Sequence, residues 1–215
     1  LWLKKGYDFV KGQKNFNAPA AVVDLGVGKN MVAAVRYWYK AFGLNMESGT
    51  AWIADYILNS QTGKDPYLED LGTLWLMHFL LIYSEEATLY RMFFVDFQQE
   101  RRLFEREQVV SFVKRKMKNA GKESLYNENT VRKDVGVMLL NYCLPRNPQS
   151  NEDFSTLLMD LDLLRQSDKK DNFDDKKEQY FFNIEGKKQV TPEIFLFALL
   201  SVKEDSDNTF GQQQC

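Results

Sequence analysis

The sequence predicts a mainly α-helical protein. It has a helix-turn-helix, winged-helix-like amino-terminal unit and a helical carboxyl-terminal region with a β-hairpin, which allows a second winged helix. Three observations predict this. Apolar residues recur at helical spacing along most of the chain. Residues 18–43 read as a short helix, a glycine turn and a longer amphipathic helix. Residues 180–190 read as two short strands about a Glu-Gly-Lys turn. The division expected is residues 1–62 for the winged-helix-like unit and 63–215 for the helical domain with its hairpin.

In order, Ala18–Val23 reads as a short helix with Pro19 near its first turn, and Leu25-Gly26-Val27-Gly28 as a tight turn. Lys29 to Gly43 reads as a helix that stops at glycine. Gly49 to Leu58 reads as a further helix, and Asn59 to Pro66 as a loop. Asp70 to Tyr83 reads as a largely buried helix, continued by Glu85 to Phe97. Glu107 to Asn119 and Asn129 to Tyr142 give two more, the second capped at Asn129 or Thr130. Pro145-Arg146-Asn147-Pro148 breaks the chain, Phe154 to Leu164 reads as a short helix, and Ser167 to Lys177 as a charged linker. After the hairpin, Thr191-Pro192-Glu193 opens a final helix, with Thr as cap and Pro at the first position.

Composition narrows the function. The 215 residues are 44% hydrophobic, 14% aromatic and 27% charged, which suits a globular protein and excludes collagen, coiled coil and disorder. The net charge of -2 excludes a uniformly basic coat. The total conceals a pattern. Residues 1–47 carry seven Lys/Arg against three Asp/Glu, and residues 101–133 carry ten against four. Residues 48–100 carry two against eight, and residues 151–215 carry eight against fourteen. The basic blocks either are ordinary solvated helix faces or form a surface for an anion or nucleic acid. Two cysteines and one histidine cannot make a four-ligand zinc site, and such sparse cysteine use predicts a cytoplasmic protein. The longest apolar run, Leu74 to Tyr83, is too short to span a bilayer, so no membrane partner is expected. The chain begins at Leu1 rather than Met, so a longer amino terminus is expected.

The helix from Lys29 carries the strongest functional pattern. At 100° per residue, Met31, Val35, Trp38 and Phe42 fall within about 60° of one another and predict the core face. Lys29, Ala33, Arg36 and Lys40 lie opposite, with Asn30 beside the helix start. In a recognition helix, Lys29, Arg36 and Lys40 would meet phosphate or guanine and Asn30 adenine. A second patch is predicted at Lys114, Arg115 and Lys118, opposite an apolar face of Val109, Val113, Met117 and Ala120. The wing of a second winged helix would carry Lys187 and Lys188. Gly26-Val27-Gly28-Lys29 is not a phosphate loop, because Val23 and Asn30 stand where glycine and Ser/Thr are required. Nor is it a dinucleotide motif, because Met31 stands where the third glycine belongs.

Asp65, Glu69, Asp70 and His78 form the one carboxylate–histidine grouping. It would suit a divalent ion or acid–base work. The simpler reading is that the carboxylates favour a helix start and His78, eight residues past Asp70, is a satisfied half-buried ring. No catalytic set, metal site or cofactor is predicted, and a non-enzymatic role is favoured.

Four stretches carry a resemblance. They are Leu25 to Val32, Arg36-Tyr37-Trp38, Gly63 to Asp70 and Gly72 to His78, joined by Trp2-Leu3-Lys4-Lys5-Gly6 at the amino end. Together they resemble a bacterial family known as domain of unknown function 4007. The resemblance spans nearly the whole chain and carries no assigned activity or catalytic residue. It implies genes placed beside phosphoadenosine-phosphosulfate-reductase-like proteins of DNA phosphorothioation and phage defence. The function it implies is an accessory that contacts DNA through the basic helix or binds such an enzyme. The alternative is a protein–protein adaptor that uses a helix-turn-helix without DNA.

Overall fold

The computed structural model describes residues 2–45, 51–143, 157–167 and 178–212. Mainly helical, it carries one small antiparallel sheet. Helices α1 (Trp2–Lys11), α2 (Ala21–Leu25) and α3 (Lys29–Ala41) form the amino-terminal unit. α4 (Trp52–Leu58) and α5 (Leu71–Tyr83) follow. Then come α6 (Thr88–Arg91), α7 (Gln98–Glu100), β1 (Leu103–Glu105), α8 (Arg106–Asn119) and α9 (Glu128–Tyr142). β2 (Leu164–Gln166), β3 (Gln179–Phe182) and α10 (Pro192–Gln212) complete the chain.

The turn between α2 and α3 forms for a local reason. Gly26 takes a left-handed conformation, φ 62°, and its N–H closes onto the Val22 and Val23 carbonyls. A side chain there would be strained, so glycine ends α2 and lets the chain reverse into α3. A small apolar cluster of Phe9, Ala21, Leu25 and Val32 joins the three helices. α1 lies close on α3: a Cβ at Gly6 would meet Val35 Cγ1 at 2.8 Å. The predicted core stripe of α3 holds for Val35, Trp38 and Phe42, with Met31 only half-buried. Gly43, φ 65°, ends the helix as its sequence predicts.

The main core is one continuous cluster from Leu3 to Phe182. Its centre is aromatic. Phe93 is fully buried and meets Phe94, Phe97, Phe104 and Phe182 at ring separations of 4.9–5.6 Å. His78 is buried beside it, its Nδ1 2.7 Å from the Tyr142 hydroxyl and its ring edge-on to Trp75, Phe94 and Tyr142. Burial pushes the imidazole down to about 3, so it is neutral in the fold. The unfolded chain, with an ordinary histidine near 6.5, binds a proton that the folded chain refuses. Stability is therefore complete above pH 6.5 and declines as pH falls from 6.5 towards 3, at a slope approaching about 1.4 kcal/mol per unit. Urea midpoints measured at pH 7.5 and 5.0 are expected to show this decline. A His78→Gln variant is expected to show a smaller one.

Four expectations change. The helix expected over Glu85 to Phe97 is broken: a 3₁₀ turn at Glu85–Ala87, α6, and a wider π-helical stretch at Met92–Phe97. Ser84 starts the break in an extended conformation, its side-chain oxygen accepting from Glu86 N. α9 is capped by Asn127, whose side chain accepts from Thr130 N at 3.0 Å, one turn before its periodic residues begin. The helix expected over Phe154 to Leu164 is a 3₁₀ turn at Met159–Leu161 followed by β2, with residues 154–156 outside the described set. The hairpin of residues 180–190 does not form. β3 pairs instead with β1 on one side and β2 on the other, in the order β1-β3-β2. The reason is that Tyr180 and Phe182 face inward, and pairing with Phe104 and Leu164 buries both. Lys187 donates to the Asp162 carbonyl instead of standing at a wing tip. The Ser167–Lys177 linker and the start of the Gly49 helix fall largely outside the described residues.

The final helix opens at Pro192 as its sequence predicts, and its Ile194 and Phe197 sit against α5. Its other face leaves Phe195, Leu196, Leu199 and Leu200 more than half exposed. No helix among the described residues is long and apolar enough to cross a membrane.

Candidate nucleic-acid interface

α3 presents the predicted face to solvent. Lys29, Asn30, Ala33, Arg36 and Lys40 are all exposed, because the Val35–Trp38–Phe42 stripe fixes the helix's rotation against the core. Lys29, Arg36 and Lys40 stand on the rim of one groove of about 750 Å³. Val32 and Ala33 of α3 also line it, as do residues of the Phe16–Val22 segment that precedes and enters α2. Asn30 is exposed but does not line the groove. The groove lining contains no carboxylate.

The three cations are held differently. Arg36 Nη1 donates to the neutral Asn17 Oδ1 at 2.6 Å, so its charge is oriented but not neutralised. Lys40 pairs with Glu86 at 2.6 Å across a surface where both are about half exposed. Such a pair contributes at most about 1 kcal/mol and yields readily to a competing anion. Lys29 has no ion pair among the described residues. The amino end of α3 adds to the positive field. Its N-cap is Gly28, no side chain caps the first N–H groups, and a Cβ at Gly28 would meet nothing within 4 Å.

Tyr37 borders the groove and also lines a second cavity of about 310 Å³ that contains Glu86 and Asp134. Burial, with the Asp134 and Glu86 carboxylates adding to it, raises the Tyr37 phenol, which therefore remains a hydrogen-bond donor. The two sides of Tyr37 are thus opposite in sign.

The second predicted patch is compensated. Lys114 faces Glu128 at 4.0 Å, Arg115 pairs with Glu100, and Lys116 pairs with Asp96 at 2.9 Å. Lys118 is exposed. The carboxylates of α7, α9 and the π stretch therefore cancel much of the charge that made residues 101–133 basic.

The carboxylate–histidine grouping does not assemble. Asp65 accepts from the Glu69 and Asp70 backbone N–H groups at 3.0 Å each, and Asp70 caps α5 through Thr73 N. His78 faces the interior. Among the described residues no three His, Cys, Asp or Glu side chains gather to hold a metal ion. Cys143 is buried, donates to the Leu164 carbonyl, and is pushed up to about 12 by burial, so it is inert as a nucleophile. Sequence reasoning missed Asn17, Tyr37 and the Phe16–Val22 segment. Pro19, two residues after Asn17, was the available signal that residues 18–20 turn and that the helix read from Ala18 begins only at Ala21.

These features define a mainly helical protein with one small antiparallel sheet, in which α2 and α3, joined by the Gly26 turn, border a cationic groove. The chain belongs to the family described as "Protein of unknown function (DUF4007)", which matches residues 1–212. It is also similar to two solved structures of a protein named SspB. The first is 27% identical with a TM-score of 0.72, and the second, a magnesium-ion-bound form, is 26% identical with a TM-score of 0.69. Each likeness covers 90% of this chain and 59% of SspB, so the chain spans a little over half of that protein's length. No curated protein matches the chain.

Proposed function

We propose that the protein is a cytoplasmic, DNA-contacting accessory of a bacterial DNA-modification and phage-defence system of the phosphorothioation type. DNA would lie against the exposed face of α3. The observation that supports this most is the gathering of Lys29, Arg36 and Lys40 around one carboxylate-free groove beside an open helix amino end. Phosphate contacts there would fix register, as in other helix-turn-helix proteins. The winged-helix description belongs to this reading too, with the α1–α3 unit as its core. Family membership supports the setting, since the resemblance implies genes beside phosphoadenosine-phosphosulfate-reductase-like enzymes. Lys114, Arg115 and Lys118 would serve as a weaker, compensated second contact.

A salt series with labelled duplex DNA tests the reading. Three phosphate contacts predict a slope of log affinity on log salt of about -2.7, at about -0.9 per contact. Absence of binding at low salt contradicts it.

One observation favours a second reading, an adaptor that binds a phosphoadenosine-phosphosulfate-reductase-like protein without touching DNA. The outer face of α10 exposes Phe195, Leu196, Leu199 and Leu200 side by side, an apolar surface of the kind found at protein contacts. Binding to that enzyme that is nearly independent of salt, with no DNA affinity, would favour the adaptor.

A further inference from the structure

The groove beside α3 is concave where a helix that only enters a duplex groove would be convex. Phe16, Pro19, Val22, Val32 and Ala33 give the recess an apolar lining beside Lys29, Arg36 and Lys40. Its volume of about 750 Å³ falls in the range of small-ligand pockets. Paired DNA keeps its base faces stacked and offers only phosphates and base edges, so an apolar recess gains nothing from it. An unpaired nucleotide carries both chemistries at once, a flat apolar base and an anionic phosphate.

Tyr37 supplies the stacking element. It is 48% exposed, and its ring is braced edge-on against buried Trp38 at 5.3 Å and 71°. Glu86 and Asp134 lie on its far side, so a phosphate is repelled there and attracted to the side of Lys29 and Arg36.

We propose that this groove seats one unpaired nucleotide, its base on Tyr37 and the apolar lining, its phosphates on Lys29 and Arg36. The proposal rests on the reading of the protein as DNA-contacting and specifies which form of DNA it takes.

The test compares three fluorescent probes by anisotropy across a salt series that starts at low salt: a 12-nucleotide single strand, its 12-base-pair duplex, and that duplex with one unpaired bulged base. The single strand and the bulged duplex are expected to bind about tenfold tighter than the intact duplex. Tyr37→Ala is expected to erase most of that ratio, at about fivefold or more for one lost stack, whereas Tyr37→Phe keeps it. Ala33→Trp, which fills the recess, is expected to erase the ratio as well. Thermal unfolding of each variant separates misfolding from lost contact, and Ala33→Trp keeps the test decisive if Tyr37→Ala unfolds. Equal affinity for all three probes, still falling steeply with salt, overturns the nucleotide seat and leaves the DNA reading standing. A preference that survives both Tyr37→Ala and Ala33→Trp overturns the groove as its location. No binding of any probe overturns both.

Discussion

Reversing two charges on α3, Arg36→Glu with Lys40→Glu, is expected to lower duplex affinity about 100-fold or more at low salt while the protein stays folded. Each reversal removes an attraction to phosphate and adds a repulsion. A loss of about 1.4 kcal/mol at each site is tenfold, and two sites compound. The fold should tolerate the change. Among the described residues Arg36 is exposed and bonded only to the Asn17 side chain, and Lys40 and Glu86 are each about half exposed, a pair with little net effect on stability. The salt slope should fall by about two in the double variant, one for each lost contact. The same reversals at Lys114 and Arg115 should cost far less, because Glu128 and Glu100 already offset those charges. Parallel anisotropy titrations of the two double variants check both statements.

Phe93→Ala is expected to be the most destabilising single truncation in the aromatic centre of the core, by about 3–5 kcal/mol. Phe93 lies in the π stretch and is 0% exposed. Its ring touches Phe97 from its own stretch, Phe104 from β1 and Phe182 from β3. Truncation leaves a cavity where the helical layer meets the sheet, and the rigid aromatic neighbours cannot collapse into it. For a chain of this size the melting temperature should fall by about 10 °C or more. Phe93→Leu should cost clearly less. A shift of under about 1 kcal/mol for the alanine variant would show that the aromatic cluster does not organise the core.

What could be read from the sequence followed the range of the interactions. The rotation of α3 was legible because Val35, Trp38 and Phe42 recur at helical spacing, and that period also fixed which cations face outward. Gly26 and Gly43 were legible as stops, since both adopt the left-handed backbone that glycine accepts without strain. His78 was legible as a satisfied ring but was read as half-buried, because its partner Tyr142 lies 64 residues away and nothing local announces its burial. The sheet was not legible. Its strands are three or four residues long, and β3 finds its partners 16 and 78 residues away, pairing Phe181 with Arg165 on one side and with Leu103 on the other. 

Those separations lie beyond any local pattern, so a turn-like Glu185-Gly186-Lys187 invited a hairpin that the longer pairings replaced. The groove was half legible. Its cationic rim follows from one helix, whereas the rest of its lining depends on where Phe16 to Val22 lies against α3. The compensation of the second patch was hidden for the same reason, since Glu100 and Glu128 reach Arg115 and Lys114 from other helices.

Hydrogen–deuterium exchange with and without saturating DNA tests the central claim most directly, because it reports where the protein is covered without altering a residue. The account predicts slowed exchange at residues 16–22 and over the first turns of α3, with weaker change on α8 and little on α10. Protection confined to α10 or α8, with the groove segments unchanged while DNA is bound, would contradict it.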